Sequence, residues 1–422
     1  MSKIAFKVEL ENENPFTNGY FYESLPLPAT DFQIRDAMHK VRVRSGMLAP
    51  NPLSVYDCRI IPQLEEARFD SPTLDELNFL AKRLVALDEN EVAVMKALVP
   101  KYIMADEDEL VSLKDLINMT YGLQNVSVLS NVGNDIDLGE FVIETGMQGD
   151  VASVSDNATY LLDKAQIGRL QRQMDGGVFV GNLYVCTDHF EMPKVYDGIT
   201  LPESEPEQWY AFRLLVAEAP KGNETNYDSA EWISLPMQQK QMQEVAARHN
   251  ARSLGDLVYY DLESSIPQIT SEDFATMHDI EMLNDLAKRM AEMSPEEQIT
   301  FKAALEASRE HGINFDDIFN IAQNLHKYEM APLCDSADSF FKEYLLTHMD
   351  TKFDERWLDN LHCSNEGNKL LSKLGATITD YGVISSWGGS LYKLVPFEQE
   401  QPEQYESLDE DISEDEGMSL KM

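Results

Sequence analysis

Residues 74–98 read LDELNFLAKRLVALDENEVAVMKAL, and residues 280–304 read IEMLNDLAKRMAEMSPEEQITFKAA, the same phrase without a gap 206 positions later. Asn78, Leu80, Ala81, Lys82 and Arg83 recur as Asn284, Leu286, Ala287, Lys288 and Arg289, and Lys96-Ala97 recurs as Lys302-Ala303. Five identities in six positions, backed by matching apolar spacing, mark an internal repeat, which sets the domain count before any other feature. Echoes extend in both directions. Ala5-Phe6-Lys7 returns as Ala211-Phe212-Arg213, Leu27-Pro28 as Leu235-Pro236, and Asp115, Leu116 and Asn118 as Asp317, Ile318 and Asn320. Gly177-Val178 and Leu183-Tyr184 are matched to Gly382-Val383 and Leu391-Tyr392, with the offset drifting between 202 and 208 as loop insertions would make it. The chain reads as a tandem duplication.

Working outward, Thr73-Leu74-Asp75-Glu76 has capping-box spacing, and Ser294-Pro295-Glu296-Glu297 is a stronger version because proline is pre-shaped for the first helical position. Leu77, Leu80, Ala81 and Leu84 form the buried face of the first of these helices, and Ser112 starts a third helix with Leu113, Leu116 and Ile117 inward. Ahead of this helical lobe, residues 3–10 alternate as a strand, residues 20–25 and 55–61 give two more, and Thr30 or Asp31 caps a helix with Ile34, Ala37, Met38 and Val41 on its apolar face. Behind it come a strand at 126–129, helices at 135–145 and 160–173, and a Gly-rich hairpin at 176–185. The second copy is expected to close through residues 370–374 and a hairpin at 382–395.

The fold class is therefore α+β, in two repeats. The first divides into an α/β lobe at 1–70, a helical lobe at 71–125 and a C-terminal lobe at 126–200. After a connector at 201–208, the second divides into 209–270, 271–328 and 329–397. Residues 398–422 lack a periodic apolar face and read as a disordered acidic tail.

Charge is the compositional outlier: 74 acidic against 34 basic residues in 422, formally −40. Ten acids and one lysine follow Phe397, so −31 remains on the rest. Such a chain repels nucleic acid and anionic membranes and attracts proteins with basic grooves. On composition alone, a solubility device or adaptation to a salty cytoplasm accounts for it equally well. The four cysteines lack close pairing, the start has no apolar signal core, and no run reaches a membrane span; a cytoplasmic protein is expected.

The run Asp137-Leu138-Gly139-Glu140-Phe141-Val142-Ile143-Glu144-Thr145-Gly146, followed by Leu162-Asp163-Lys164-Ala165-Gln166-Ile167-Gly168-Arg169 and a closing hairpin, resembles the ArdA antirestriction proteins. The resemblance covers most of the first repeat. In the second, residues 341–346 keep the pattern, whereas the Asp-to-Gly-Arg element is lost around 361–374, with Asn368 and Ser372 nearby. Family members are dimers of a single repeat, so this chain looks like a fused or extended member, a homodimer or an intramolecular pseudo-dimer. The resemblance implies a non-catalytic DNA mimic that occupies the DNA groove of a type I restriction-modification enzyme and protects incoming mobile DNA.

The candidate mimic surface is collective. In the first copy it comprises Asp75, Glu76, Glu89, Glu91, Asp106, Glu107, Asp108, Glu109, Asp135, Asp137, Glu140 and Glu144. In the second it comprises Glu281, Asp285, Glu292, Glu296, Glu297, Asp316, Asp317, Asp338 and Glu343. For any one of these acids a solvated helix face with no role is the simpler account. Leu138, Phe141 and Ile143 read as core or dimer seam.

No catalytic constellation is visible. The eight histidines form no H-E-x-x-H pair and no zinc-spaced set with cysteine, and there is no phosphate loop and no G-x-S-x-G. Residues 135–140 look faintly like a calcium loop but lack its glycine and terminal glutamate. No cofactor or metal is expected. Two rivals remain: an acidic interaction protein of the same fold aimed at another DNA-binding defence or chromosome-organising protein, and an enzyme of unknown class.

Overall fold

The computed structural model describes residues 3–16, 19–43, 54–103, 110–147, 161–202, 209–219, 227–274, 280–310, 312–348 and 361–395. The expected acidic tail, the connector from residue 203 and the acids Asp106, Glu107, Asp108 and Glu109 lie outside them.

The chain is mixed α and β, with small antiparallel sheets set among helices. At the front, β1 (Phe6–Glu13) pairs with β2 (Tyr20–Leu27) from Phe6↔Leu27 to Glu13↔Tyr20, and with β3 (Ser54–Tyr56) on its other edge. Phe6, Val8 and Leu10 are buried, as period-two alternation on a half-covered sheet requires. The strand expected at 55–61 stops at Tyr56 because Asp57 turns the chain with φ +52°. Helix α1 (Asp31–Lys40) follows, with Thr30 and Gln33 forming a reciprocal capping box.

The helical layer comprises α2 (Leu74–Val85), α3 (Glu89–Leu98) and α4 (Leu113–Met119). Leu77, Leu80, Ala81 and Leu84 are fully buried on α2, each leucine contributing about 1.5–3 kcal/mol. Next come β4 (Val128–Ser130), α5 (Asp135–Thr145), α6 (Lys164–Asp175), β5 (Val178–Val180) and β6 (Leu183–Val185), with strand order β4-β6-β5. Residues 195–196 then return to the helical layer: Asn118 brackets Tyr196 through its backbone N–H and C=O, and the Tyr196 hydroxyl donates to Glu76 at 2.9 Å.

The same succession follows in the second half. It runs β7 (Phe212–Glu218), β8 (Glu231–Leu235), α7 (Gln239–Arg248), β9 (Leu257–Ser264), α8 (Ile280–Glu292), α9 (Pro295–Arg309) and α10 (Phe315–Gln323). It ends with β10 (Met330–Ala331), α11 (Ala337–His348), α12 (Ser364–Leu374), β11 (Ala376–Thr379) and β12 (Gly382–Ser385). Sheet orders β8-β7-β9 and β10-β12-β11 parallel those of the first half, and the Leu27-Pro28 and Leu235-Pro236 bonds are both cis.

Further sequence expectations need correction. The helix expected at 160–173 begins only at Lys164, and Leu391-Tyr392 lies beyond β12 and so does not match Leu183-Tyr184 of β6. The second hairpin begins at Ala376, because the two-residue turn Asp380-Tyr381 joins β11 to β12; Gly382 opens the returning strand. Strand order and the left-handed helix caps at Gly176 and Gly375 therefore match Gly177-Val178 to Ala376-Thr377, and not to Gly382-Val383. The glycine thought lost from the second copy is also present. A Cβ on Gly168 would lie 1.9 Å from the Asp135 carbonyl oxygen, and one on Gly367 would lie 2.0 Å from that of Ala337. Both are contacts at which one helix crosses the start of another, and neither has room for a side chain. In the first half Gly139 makes a reciprocal contact with the Lys164 carbonyl.

Candidate functional site

The phrase shared by the two halves is occupied with structure. The Asn78 side chain accepts from the Ala29 amide at 2.8 Å and donates to its carbonyl at 2.9 Å; Asn284 does the same to Met237 at 2.7 and 3.1 Å. Each clamps the loop after a cis proline to the helical layer. Arg83 donates to the Thr120 carbonyl at 3.0 Å, and Arg289 to that of Ala322 at 3.1 Å, each satisfying a carbonyl at the end of the neighbouring helix. The asparagine and arginine of the repeated run are thus accounted for by clamping and capping, and its leucine and alanine by burial.

The candidate acids separate into two kinds. Asp75, Glu89, Glu144, Glu292, Glu296 and Asp316 are exposed, and their carboxylates have no partner among the described residues. Glu281 is also exposed. Glu140 and Asp285 are exposed but paired, to Lys164 at 2.7 Å and Lys288 at 2.8 Å. These side chains stand on α2, α3, α5, α8, α9 and α10, so regular helical backbone sets their spacing within each helix.

The remaining acids hold the fold together. Glu76, Glu91, Glu297 and Asp317 each close a capping box at a helix start, and Asp137 accepts from the Gly133 amide at 3.1 Å. Asp135 pairs with Arg172 at 2.9 Å, across the crossing where Gly168 meets its carbonyl. Asp338 accepts from the Cys363 amide at 2.6 Å and pairs with Lys342 at 2.7 Å; Glu343 accepts the Cys334 thiol at 2.7 Å. Burial works against ionisation of Asp338, yet the Lys342 bond and the Cys363 amide hold its carboxyl below the usual range. Outside the capping boxes at Thr73 and Ser294, the sequence shows a first-turn acid without showing whether its carboxylate bends back to the backbone or points to water.

The region that sequence reading missed is the seam between the halves. From α1, the buried Asp36 accepts from Lys302 on α9 at 2.6 Å and from the Tyr381 hydroxyl at 2.7 Å; Gln268 donates to that hydroxyl. The Lys302 ammonium lies 3.4 Å from His39 Nδ1. Burial, and then the Lys302 charge, push the His39 ring down to about 4, so the imidazole is neutral and accepts. Lys40 reaches Glu23 and Asp380 at 3.3 Å each, Arg42 donates to the Asp380 carbonyl, and Phe32 meets Tyr210 edge-on at 4.9 Å. One signal was available: Asp36 and His39 fall on the face of α1 beside Ala37, where a surface helix would keep apolar residues.

Burial raises the thiols of Cys58 and Cys186 to about 12 and about 11, and that of Cys334 further, so none of the three is a ready thiolate. Among the described residues no group of three or more His, Cys, Asp or Glu is placed to hold a metal ion, and no helix is long and apolar enough to cross a membrane. The chain matches no protein-family model and no curated protein.

Proposed function

We propose that the chain is a non-catalytic antirestriction protein of ArdA-like construction, two copies of one unit in tandem. In this reading it works in the cytoplasm and occupies the DNA groove of a type I restriction-modification enzyme. The observation that carries the reading is the set of unpaired carboxylates on capped helices in both halves, on a chain of formal charge −40. B-DNA carries one charge per about 1.7 Å of axis, so some 31 excess charges correspond to roughly 50 Å of duplex. Carboxylates fixed before contact lose little entropy on binding, and the enzyme's basic groove releases its counterions to them as it would to phosphates. The matching element order, the paired asparagine clamps and the glycine contacts at Gly168 and Gly367 support the two-copy reading.

The test is competition. Fluorescence anisotropy of labelled duplex on a type I methyltransferase core should fall to the free-DNA value as this protein is added. The competing affinity should drop steeply between about 50 and 200 mM salt. A stable ternary complex of enzyme, duplex and this protein would overturn the reading. Capture of a different basic DNA-binding protein, with no effect on the methyltransferase, would favour the broader acidic-inhibitor class.

A further inference from the structure

We infer that the first half carries an open docking groove for helix α7 of a second copy of this chain. The observation is a mismatch between two equivalent places. In the second half, Trp209, Ile266, Met290, Met293, Gln298 and Lys302 line a recess closed by Phe32 and Arg35 of α1, which leave only about 30 Å³. In the first half, Lys3, Ile60, Leu84, Leu87, Val92 and Lys96 line a groove of about 590 Å³. All six pairs of positions are related by the same shift of 206. The surface that receives α1 in the second half is thus present in the first half without an occupant among the described residues.

The chain also carries the matching occupant. Helix α7 stands where α1 stands in its own half, and the capping boxes Thr30/Gln33 and Gln238/Gln241 coincide at a shift of 208. At that shift Phe32, Arg35, Asp36 and His39, which face the seam, become Lys240, Gln243, Glu244 and Ala247, all exposed. Among the described residues Lys240 and Glu244 pair with each other alone, at 3.8 Å, with 88% and 57% of their side chains exposed. The charged pair of the seam is conserved in kind: Asp36 with Lys302 becomes Glu244 with Lys96, a half-buried lysine with no carboxylate partner among the described residues. Lys240, in the place of Phe32, would lay its aliphatic stem on the groove and bring its ammonium towards Asp88 and Glu89 on the rim. The contact repeats between chains what α1 and α9 do within one. It is heterologous, so it closes into a ring or extends according to its rotation. It stands independently of the antirestriction reading.

Sedimentation velocity on the full chain, from about 1 to 100 μM in about 0.3 M salt to screen the net charge, should show concentration-dependent association. Lys96→Glu or Glu244→Lys alone should weaken it on the order of tenfold, and the double exchange Lys96→Glu/Glu244→Lys should restore it. Both positions are at the surface, and circular dichroism will verify that the variants fold. Independently, a Val92→Cys chain mixed with a Gln243→Cys chain should give a disulfide-linked dimer under mild oxidation, because Gln298 and Arg35 line the equivalent recess together. A monomer throughout the range, or association insensitive to both single reversals, overturns the inference.

Discussion

Helices α1 and α7 occupy the same place in their respective halves and have opposite surroundings. Helix α1 buries Asp36 and His39 against the other half, while α7 presents Glu244 and Ala247 to solvent. Their caps and their junctions with the preceding strand are alike, so local physics treats them alike. The difference comes from what lies beyond: Lys302 and Tyr381 of the second half bond the Asp36 carboxylate of α1, with Gln268 behind the tyrosine, and Glu244 of α7 has no such partners among the described residues. Similarly placed helices in the two halves can thus be core or surface, depending on what packs against them.

The sharpest break in that comparison is at the two equivalent lysines. Lys302→Ala removes the nearer counter-charge of the buried Asp36 and leaves Lys40, at 3.9 Å, and the Tyr381 hydroxyl, and urea denaturation should show a loss of about 3 kcal/mol. Lys96→Ala, at the open groove, should change stability by no more than about 0.5 kcal/mol. Equal losses at the two sites would show that the seam contributes nothing special.

Next in size is the helix crossing. Gly168→Ala places a methyl group 1.9 Å from the Asp135 carbonyl oxygen, and Gly367→Ala places one 2.0 Å from that of Ala337. Each should cost about 3 kcal/mol, since backbone must move to admit the atom. The second half carries Phe341 at the position of Gly139, so it keeps a glycine on only one of its two crossing helices. If Gly139→Ala is tolerated as well as a surface change, the contact of Gly139 with the Lys164 carbonyl does not constrain the crossing in the first half.

Acid should reach the seam before it reaches the groove. His39 faces Lys302, Asp36 and Arg35, and its folded pKa is depressed from the usual 6.5 to about 4. Between those values the unfolded chain binds the extra proton, so stability from this group is complete above about pH 7 and is lost as pH falls towards 4. The whole swing is of order 3 kcal/mol. The slope of unfolding free energy against pH should be steeper for the natural chain than for His39→Phe over that window, and parallel slopes would contradict the assignment. The smallest effects on stability belong to the exposed carboxylates: Asp75→Asn, Glu89→Gln and Glu296→Gln should each stay within about 0.5 kcal/mol. Combined, they should weaken competition with duplex DNA.

Much of each half was legible from residues alone. The capping boxes at Thr73 and Ser294, the inward faces of α2 and α4, the alternating front strand and the full extent of α5 were all visible as local patterns. The misreadings arose where two local patterns competed. Gly382 looked like the start of a hairpin because glycine is a turn residue, yet it opens the second strand, where its φ of +136° and its approach to the Ala331 carbonyl leave no room for a side chain. The role of Gly367 was missed because the arginine that follows Gly168 is Asn368 after Gly367. Among the candidate acids, the sequence marks Glu76 as the capping partner of Thr73 but not as the group that holds Tyr196 from 120 residues away, and Asp75 beside it is exposed with no partner among the described residues.

Composition and periodicity by themselves determined that this protein is acidic, that its units are α+β, and that one phrase of helix is used twice, because charge count and side-chain spacing are properties of the chain before it folds. Only tertiary structure decided that Glu76 also holds Tyr196, that Asp135 pairs with Arg172 and Asp338 with the Cys363 amide, and that Asp36, His39, Lys302 and Tyr381 meet. Those outcomes depend on which distant backbone or charge comes within about 3 Å, since burying an ion is tolerated only where a partner arrives with it.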